Sequence, residues 1–386
     1  MQRSSQKSEK SILILASVAS MIDQFNMDNI KILLELGYRV EVACNFERGN
    51  TCSAERIDDL KRRLEEKGVK FYQVDFTRNV LNLIEDLKAY NQVKKIVKQN
   101  KYDLIHCHSP IGGVIGRIVA HEMKIKVIYT AHGFHFYDGA PLKNWLFFYP
   151  IEKFLSRWTD ILITITKEDY NRAKTKFYSS QIIYSPGVGI NIAKLSKHLS
   201  EKQVEEKRKS LEIPRNACVI LSVGELNKNK NHASVIRAIA KMKCRENIFY
   251  IIAGKGELHN YLENLADNLN VNLLLLGYRQ DIVDIYHMAD IFIHPSFREG
   301  MSVATMEAVA AEKVVIASKI RGEVDLIESR CLFNPADVDE IAEKIKEAYD
   351  GKYAATIKNN RLRLQEFSVE NINEEMRRVY SSIDEK

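Results

Sequence analysis

The sequence lacks the features that mark several common protein classes. Its six cysteines lie far apart without any Cys-x-x-Cys pair, which favours free thiols in a reducing compartment over disulfides or zinc. No apolar run reaches the ~18 residues that a membrane span requires. The polar residues 1–10 precede an apolar run of only a strand's length, Ile12–Ala19, so no signal peptide is expected. We therefore expect a cytoplasmic protein.

Dense positive charge, short repeats and low-complexity tracts are also absent. The formal net charge of +6 is a mild excess, whereas a dedicated nucleic-acid binder usually carries a denser basic stripe. The excess suits phosphates or an anionic membrane surface, and no nucleic-acid partner is predicted. A hydrophobic content of 45% and a length of 386 residues predict a globular chain of two domains.

Short β-branched runs alternate with longer stretches of helical period, which predicts parallel sheets covered on both faces. The first series of predicted strands is Ile12–Leu15, Val40–Ala43, Phe71–Val74, Leu104–Cys107, Val127–Tyr129 and Ile161–Ile165. The second is Val219–Val223, Phe249–Ala253, Leu273–Leu276, Ile291–Ile293 and Val314–Ala317. We predict two Rossmann-like, doubly wound α/β domains, residues 1–190 and 191–368, that face a central cleft, and a terminal amphipathic helix within 369–386.

Unusual residues follow the carboxyl ends of four predicted strands, where ligands bind in open parallel sheets. They are Gly224, Gly254 with Gly256, His294 to Glu299, and His132 with Gly133. Any one of these could be an ordinary turn, but together they predict a single site.

The most informative segment runs from His294 to Ala311. Glu299 lies in a predicted loop, and Gly300 is expected to open a helix whose first N–H groups would suit phosphate. Glu307 stands among small apolar residues, where a carboxylate is costly unless something donates hydrogen bonds to it. A ribose diol would satisfy both oxygens. A Glu on the solvent-facing side of the helix is the alternative.

The two glutamates, with glycine after the first and small residues around the second, resemble the signature of the retaining family 4 glycosyltransferases. The resemblance extends over nearly the whole chain and includes Thr130-Ala-His132-Gly133, Ser222-Val-Gly224, Gly254-Lys-Gly256 and Tyr278-Arg-Gln-Asp281. It is strongest to bacterial transferases that assemble capsular or exopolysaccharide repeat units.

The resemblance implies a GT-B fold with the donor nucleotide in the second domain and the terminal helix packed back on the first. Glu307 would hold the ribose and Glu299 the hydroxyls of the sugar, while Lys230 would grip the diphosphate. His132 would act near the donor sugar, which makes His132, Glu299 and Lys230 the implied catalytic set. Further implied donor-side residues are Gly224, Lys228, Gly254, Gly256, Arg279, Gly300, Met301 and Ser302. Implied acceptor-side residues are Ala19, Ser20, His108 and Gly133.

The implied reaction is retaining transfer from a nucleotide diphosphate sugar, a UDP-sugar by expectation, to a saccharide acceptor linked to a lipid such as undecaprenyl diphosphate. Lys230 and the amides near Gly300 can meet the charge on the leaving group, so neither a metal nor another cofactor is expected. Two features depart from the family pattern. Glu225 replaces the arginine that usually follows the glycine at Gly224, and the segment Ser17–Asp23 contains no glycine.

Two rival functions stay open: a UDP-sugar epimerase, and a non-catalytic homologue that binds a protein or glycan. Two metal patterns are set aside. His106, His108, His132 and His135 have no acidic partner at a fixed spacing, and Asp337-Val-Asp339 is expected to open a helix.

The aromatic segment Leu142–Trp158 also allows two interpretations. We favour a helix packed in a core, and a helix at a membrane interface, giving peripheral contact with the inner face of the cell membrane, is the alternative.

Overall fold

The computed structural model describes residues 10–50, 52–77, 82–108, 110–187, 189–197 and 199–383. The first series of strands is β1 (Lys10–Val18), β2 (Tyr38–Asn45), β3 (Lys70–Gln73), β4 (Leu104–His108), β5 (Lys126–Ala131), β6 (Ile161–Thr164) and β7 (Gln181–Tyr184). Among them lie the helices α1 (Ala19–Phe25), α2 (Met27–Glu35), α3 (Ala54–Glu66), α4 (Leu83–Asn100), α5 (Pro110–Met123), α6 (Leu142–Leu155) and α7 (Lys167–Lys176).

The second series of strands is β8 (Cys218–Val223), β9 (Ile248–Ala253), β10 (Asn272–Gly277), β11 (Ile291–His294), β12 (Val314–Ser318) and β13 (Leu332–Phe333). The helices of this part are α8 (Ile192–Leu195), α9 (Glu201–Ser210), α10 (His232–Ala240), α11 (His259–Leu269), α12 (Ile282–Met288), α13 (Val303–Ala310), α14 (Glu323–Leu326), α15 (Val338–Tyr349), α16 (Thr356–Leu364) and α17 (Val369–Ser382). Single 3₁₀ turns occur at Ser156–Trp158, Arg245–Asn247, Ser329–Cys331 and Gln365–Phe367.

The strands form two parallel sheets, one ordered β3-β2-β1-β4-β5-β6-β7 and the other β10-β9-β8-β11-β12-β13. In each sheet the strand order reverses beside the first strand, between β1 and β4 and between β8 and β11. A doubly wound sheet opens a crevice at this switch point, beyond the carboxyl ends of its strands. The predicted class of parallel-sheet α/β domains is confirmed, and the topology specifies where each sheet can bind a ligand.

The apolar runs form strands because helices cover both faces of each sheet. In β1 every residue after Lys10 is buried, which explains a run without polar alternation. Two edge strands, β7 and β13, were not predicted. The first is only half-buried along its length and the second has two residues, so neither carries a strong apolar signal.

The described structure divides into two compact units. The first unit is Met1–Val188 with Ile372–Lys386, and the second unit is Gly189–Asn371. Helix α17 joins the core of the first unit through a stripe at helical spacing, Ile372, Met376, Val379 and Tyr380, and Ile383 just after the helix continues the stripe. Residues 1–9 of the predicted first domain and 384–386 of the predicted terminal helix lie outside the described residues.

Helix α6 has two faces of different character. Trp145, Phe148 and Tyr149 pack against the core of the first unit, as expected for a core helix. The opposite face does not match that expectation, because Leu142, Leu146, Phe147 and Phe154 are 73%, 71%, 44% and 50% exposed. None of the helices in the described part of the chain is long and apolar enough to cross a membrane.

Candidate active site

The second unit carries most of the predicted residues on loops at the carboxyl ends of its strands. The loop after β8 contains Gly224 and Lys230, and the loop after β11 contains Glu299. Since β8 and β11 are neighbours at the switch point, both loops lie over the same crevice of the sheet.

Lys230 and Glu299 form an ion pair across these two loops. The Lys230 Nζ lies 2.7 Å from Glu299 Oε1, and each side chain is about one-fifth exposed. Burial works to raise the pKa of Glu299. Lys230 and His294, together with hydrogen bonds from Lys230 and Ser296, outweigh this effect and lower that pKa below its usual range. A charged pair therefore stands at the centre of the crevice.

Gly224 leaves the space that the Lys230 side chain occupies. A Cβ at Gly224 would lie 3.1 Å from Lys230 Cε, and the φ of +156° is also one that other residues rarely adopt. The Lys230 backbone N–H donates to Asn227 Oδ1 at 3.0 Å, which fixes the turn that aims the side chain. Lys228 is exposed on the same turn, and no described contact brings it to Glu299.

Gly254 and Gly256 are explained by packing between loops. A Cβ at Gly254 would lie 1.8 Å from the carbonyl oxygen of Gly224, and one at Gly256 would lie 2.4 Å from that of Leu226. The β8 and β9 loops are therefore pressed backbone to backbone. This contact accounts for both glycines without a ligand.

The helix of the signature segment starts later than predicted. Helix α13 begins at Val303 with Ser302 as its N-cap, whose hydroxyl accepts from the Thr305 N–H at 3.2 Å. Gly300 and Met301 belong to the preceding loop, so the expectation that Gly300 opens the helix was wrong. The capping hydroxyl of Ser302 moves the start to the residue after it.

The loop before α13 is held from behind by residues that the sequence did not indicate. The Arg321 Nε donates to the Glu299 carbonyl oxygen at 3.0 Å. Gly322, with φ of +83°, packs so closely that a Cβ there would lie 1.8 Å from the Gly300 carbonyl oxygen. Arg321 and Gly322 therefore fix the backbone conformation at Glu299 and Gly300.

His294 belongs to a cluster of buried polar side chains next to the loop that carries Glu299. Its Nδ1 lies 2.7 Å from Glu323 Oε1, and its Nε2 lies 3.1 Å from Ser296 Oγ. Thr305 also donates to Glu323, at 3.0 Å. A carboxylate as buried as Glu323 needs such partners. The Glu323 carboxylate and the hydroxyls of Ser296 and Thr305 thus stabilise the residues on either side of the Glu299 loop.

Glu307 lies on α13 and is partly buried. The Tyr286 hydroxyl, on α12, lies 2.9 Å from Glu307 Oε2 and 3.1 Å from the Ala304 carbonyl oxygen. Burial raises the pKa of Glu307, against the lowering effects of Tyr286 and Lys194. Glu307 is thus not a fully solvated surface residue. Tyr286 could not be foreseen, because it comes from a different helix.

Arg279 is engaged by a neighbouring carboxylate. Its Nε and Nη2 donate to the two oxygens of Asp281 at 2.7 and 2.6 Å, and Lys207 pairs with the same carboxylate. Asp281 consequently has a lowered pKa, chiefly through the Arg279 hydrogen bonds. The side chain of Arg279 stabilises the loop after β10, so a role in base recognition would fall to the backbone there.

In the first unit, three histidines gather at the carboxyl ends of β4 and β5. His108 Nδ1 and His132 Nε2 are 3.2 Å apart, and His106 bonds to Tyr380 at 2.8 Å and Thr130 at 2.9 Å. Burial lowers the pKa of His132 to about 4 and, with a contribution from His132, that of His106 to about 3. These imidazoles are neutral at neutral pH. Among the described residues no group of three metal-binding side chains is arranged as a metal site.

His108 and His132 line a polar cavity of about 150 Å³ together with Asp23, Thr130 and Ser185. Gly133 instead lines a second, apolar cavity of the same unit. Ala19 and Ser20 are buried in the first turn of α1, which follows β1 directly, and the Ser20 N–H donates to Asn50 Oδ1 at 2.9 Å. Helix α1 thus starts directly after β1, within the segment Ser17–Asp23 that contains no glycine.

Two sequence families match the chain. "Glycosyl transferases group 1" matches residues 203–364, and "Glycosyl transferase 4-like" matches residues 11–166. EpsD of Bacillus subtilis (strain 168), named as a glycosyltransferase, is 32% identical over 352 residues, 88% of this chain and 87% of that protein. The Escherichia coli UDP-Gal:alpha-D-GlcNAc-diphosphoundecaprenol alpha-1,3-galactosyltransferase is 30% identical over 302 residues, 75% of this chain and 77% of that enzyme.

Solved structures match the fold over nearly the full length. A glycosyltransferase from Rickettsia africae ESF-5 superposes with a TM-score of 0.75 at 19% identity, covering 97% of this chain and 99% of that one. Anabaena Alr3699/HepE, solved with UDP-glucose, gives 0.73 at 20% identity, covering 96% and 99%. The expected GT-B class is confirmed by these neighbours and by the two parallel-sheet domains.

Proposed function

The chain is a glycosyltransferase of the group 1 family, and we propose that it moves a sugar, with retention, from a UDP-sugar to a lipid-linked saccharide. The observation that supports this most is the 2.7 Å ion pair of Lys230 and Glu299 at the switch point of the second sheet. A carboxylate and an amine held together there suit a ligand that has sugar hydroxyls next to phosphates.

We assign the donor to the second unit. Glu307 would accept hydrogen bonds from the two ribose hydroxyls. Its raised pKa reflects an incompletely solvated carboxylate, which gains from such donors. Lys230 would contact the diphosphate, and Glu299 the hydroxyls of the transferred sugar. Alr3699/HepE, solved with UDP-glucose, has the same fold, which supports a uridine nucleotide as the first choice to test.

The chemical step needs stabilisation of the leaving nucleotide diphosphate. The bond from the anomeric carbon to phosphate oxygen breaks, and the acceptor oxygen bonds to that carbon on the same face. The acceptor's proton passes to the departing phosphate. Lys230 and the first N–H groups of α13 can meet the growing negative charge, so the proposed step requires no metal. His132, neutral because of its burial, would act as a hydrogen-bonding partner of the sugar.

We propose an acceptor on a lipid, used in capsular or exopolysaccharide synthesis. The E. coli relative is named for an acceptor on diphosphoundecaprenol, and CapM of Staphylococcus aureus, 25% identical, for capsular polysaccharide biosynthesis. The exposed apolar face of α6 carries Lys143, and Arg157 lies in the 3₁₀ turn that follows the helix. The only acidic residue of α6, Glu152, is buried. Such a face suits an anionic bilayer, so we place the enzyme at the inner surface of the cell membrane.

Calorimetric binding of UDP, GDP and dTDP tests the donor assignment. We expect the wild type to bind UDP and Glu307→Ala to bind it about ten- to a hundredfold more weakly, the cost of lost hydrogen bonds to a charged group. Glu343→Ala, which removes an exposed carboxylate of the same unit, is the matched control and should bind normally. Unchanged affinity in Glu307→Ala would refute the ribose assignment.

The same protein separates the rival functions. A product formed from the UDP-sugar without any acceptor would favour an epimerase. Failure to bind any of the three nucleotides would favour a non-catalytic homologue, which the exposed Glu225 and the glycine-free segment Ser17–Asp23 support. Proton NMR of the transfer product reports its anomeric configuration, and an inverted product would contradict the proposed retention.

A further inference from the structure

A large apolar cavity lies within the first unit, among α4, α5, α6 and the loop after β5. Its volume is about 440 Å³, within the range of small-molecule pockets, roughly 300–1,000 Å³. Helix α5 lines it with one continuous stripe of aliphatic side chains: Ile111, Val114, Ile115 and Ile118. The function assigned so far does not use this cavity.

One end of the cavity opens to solvent between exposed apolar side chains. Leu87 of α4 and Phe147 of α6 line it and are 60% and 44% exposed. On α6 the exposed stripe of Leu142, Leu146 and Phe154 continues from Phe147. The mouth therefore adjoins the surface that we place against the membrane.

The lining of the cavity also includes Gly133, the residue after His132. His132 itself lines the polar cavity of this unit, so consecutive residues of the loop after β5 line the two cavities. A molecule with an apolar tail and a polar head could place each part in the cavity that suits it.

The charged groups at the cavity are mostly neutralised by the protein. Glu152 pairs with Arg117 at 2.8 Å, and Glu122 pairs with Lys94 at 2.8 Å and bonds to Tyr90. Burial raises the pKa of Asp86, the remaining acidic residue of the lining. Beside Leu87, Lys88 of α4 pairs with Asp75 at 2.8 Å, and Lys95 lies two turns further along the helix. An apolar interior whose charged neighbours are largely paired complements a hydrocarbon chain.

We propose that this cavity binds the hydrocarbon chain of the lipid-linked acceptor, at the segment next to its diphosphate. The proposal rests on the proposed function for the identity of the lipid. The chain leaves the bilayer at the exposed face of α6, passes between Leu87 and Phe147, and brings the head group to the loop of His132 and Gly133. The cavity would thereby position the acceptor sugar as well as bind the lipid.

Calorimetry with farnesyl diphosphate tests the cavity directly, with inorganic diphosphate as the probe without a chain. We expect farnesyl diphosphate to bind the wild type more tightly than inorganic diphosphate. Val114→Trp, which fills the cavity from α5, should weaken farnesyl diphosphate binding about tenfold or more, because the chain loses its apolar contacts. Leu362→Trp adds the same side chain at an exposed position of the second unit and should bind normally.

Val114→Phe provides a smaller filling group, and thermal unfolding of each variant identifies any that fails to fold. Equal binding of the two probes, or wild-type affinity in both folded Val114 variants, would overturn the proposal. Binding of dodecanoate as tight as that of farnesyl diphosphate would assign the cavity to acyl chains in general and overturn its assignment to the acceptor. These measurements involve neither a nucleotide nor sugar transfer. The cavity can therefore bind the lipid even if the proposed transferase function is wrong, and the transferase function can be right even if the cavity binds no lipid.

Discussion

At the scale of single residues, the Lys230–Glu299 pair determines what charge the second unit offers to a diphosphate. With both partners ionised the pair has no net charge, yet each group remains able to interact with a different part of one ligand. Glu225, where the family has arginine, adds a negative charge nearby in sequence. It is exposed and accepts a hydrogen bond from Asn227, at 3.0 Å. Lys230 is therefore the cation on which phosphate binding should depend.

We expect Lys230→Met to weaken UDP binding about ten- to a hundredfold while leaving uridine binding nearly unchanged, because uridine has no phosphates. Glu299→Gln should retain UDP binding, since Lys230 stays, but lose turnover with the UDP-sugar. Calorimetry with both ligands and a transfer assay measure these effects. Lys209→Met, which removes an exposed lysine of the same unit, is the control. An equal loss of uridine binding in Lys230→Met would contradict a phosphate role.

The sequence indicates the candidate ligand-binding residues of the second unit, but not the residues that hold them in place. Glu299, Glu307 and Lys230 stand in a pattern along the chain, so a single sequence can suggest them. Tyr286 and Arg321 contact that set from other elements. Their contacts arise only when the chain folds, and no local spacing indicates them.

At the scale of elements, the loop between β11 and α13 is shaped by backbone packing. Gly322 adopts φ of +83° and its α-carbon faces the Gly300 carbonyl oxygen, where a Cβ would lie 1.8 Å away. Gly351 has a similar φ of +77°, but nothing lies within 4 Å of its Cβ position. Substituting alanine at Gly351 therefore measures the free-energy cost of a left-handed backbone alone. The same substitution at Gly322 adds the cost of a steric clash.

We expect Gly351→Ala to lower the free energy of unfolding by about 1–2 kcal/mol, the cost of a left-handed backbone for a residue with a Cβ. Gly322→Ala should cost roughly 1–3 kcal/mol more, because the clash with Gly300 has to be relieved by moving the backbone. Urea unfolding measures both. Gly322→Ala should also weaken UDP binding, since Glu299 precedes the displaced residue. Equal losses of stability in the two variants would contradict the packing argument.

The elements themselves were largely predictable because a buried parallel strand has to be apolar throughout. The eleven predicted runs correspond to β1–β6 and β8–β12. The start of α13 differs from the prediction, because the glycine at 300 does not open the helix and the Ser302 hydroxyl caps it two residues later. Helix caps depend on one side-chain hydrogen bond and are therefore harder to predict than strands.

At the scale of the whole molecule, the two units share one sheet topology but carry different side chains at the switch point. Each sheet reverses its order beside its first strand, so each has one switch point. The second unit places a charged pair there, while the first unit places neutral, buried histidines and an apolar cavity nearby. The periodicity of the sequence predicted two such sheets. It could not reveal the cavity, because the lining side chains look like an ordinary core.

Association with membranes is the property that the whole molecule should show if α6 is a docking face. The pure protein should sediment with vesicles that contain phosphatidylglycerol and much less with neutral vesicles, since Lys143 and Arg157 flank the apolar stripe and each basic residue adds about 1 kcal/mol. Leu142→Ser combined with Leu146→Ser should reduce the vesicle partition coefficient at least about tenfold, because burying one leucine contributes roughly 1.5–3 kcal/mol. Leu362→Ser removes a 63% exposed leucine from the second unit and should change nothing. Equal binding to both vesicle types, or the same loss with Leu362→Ser, would show that α6 does not dock on membranes.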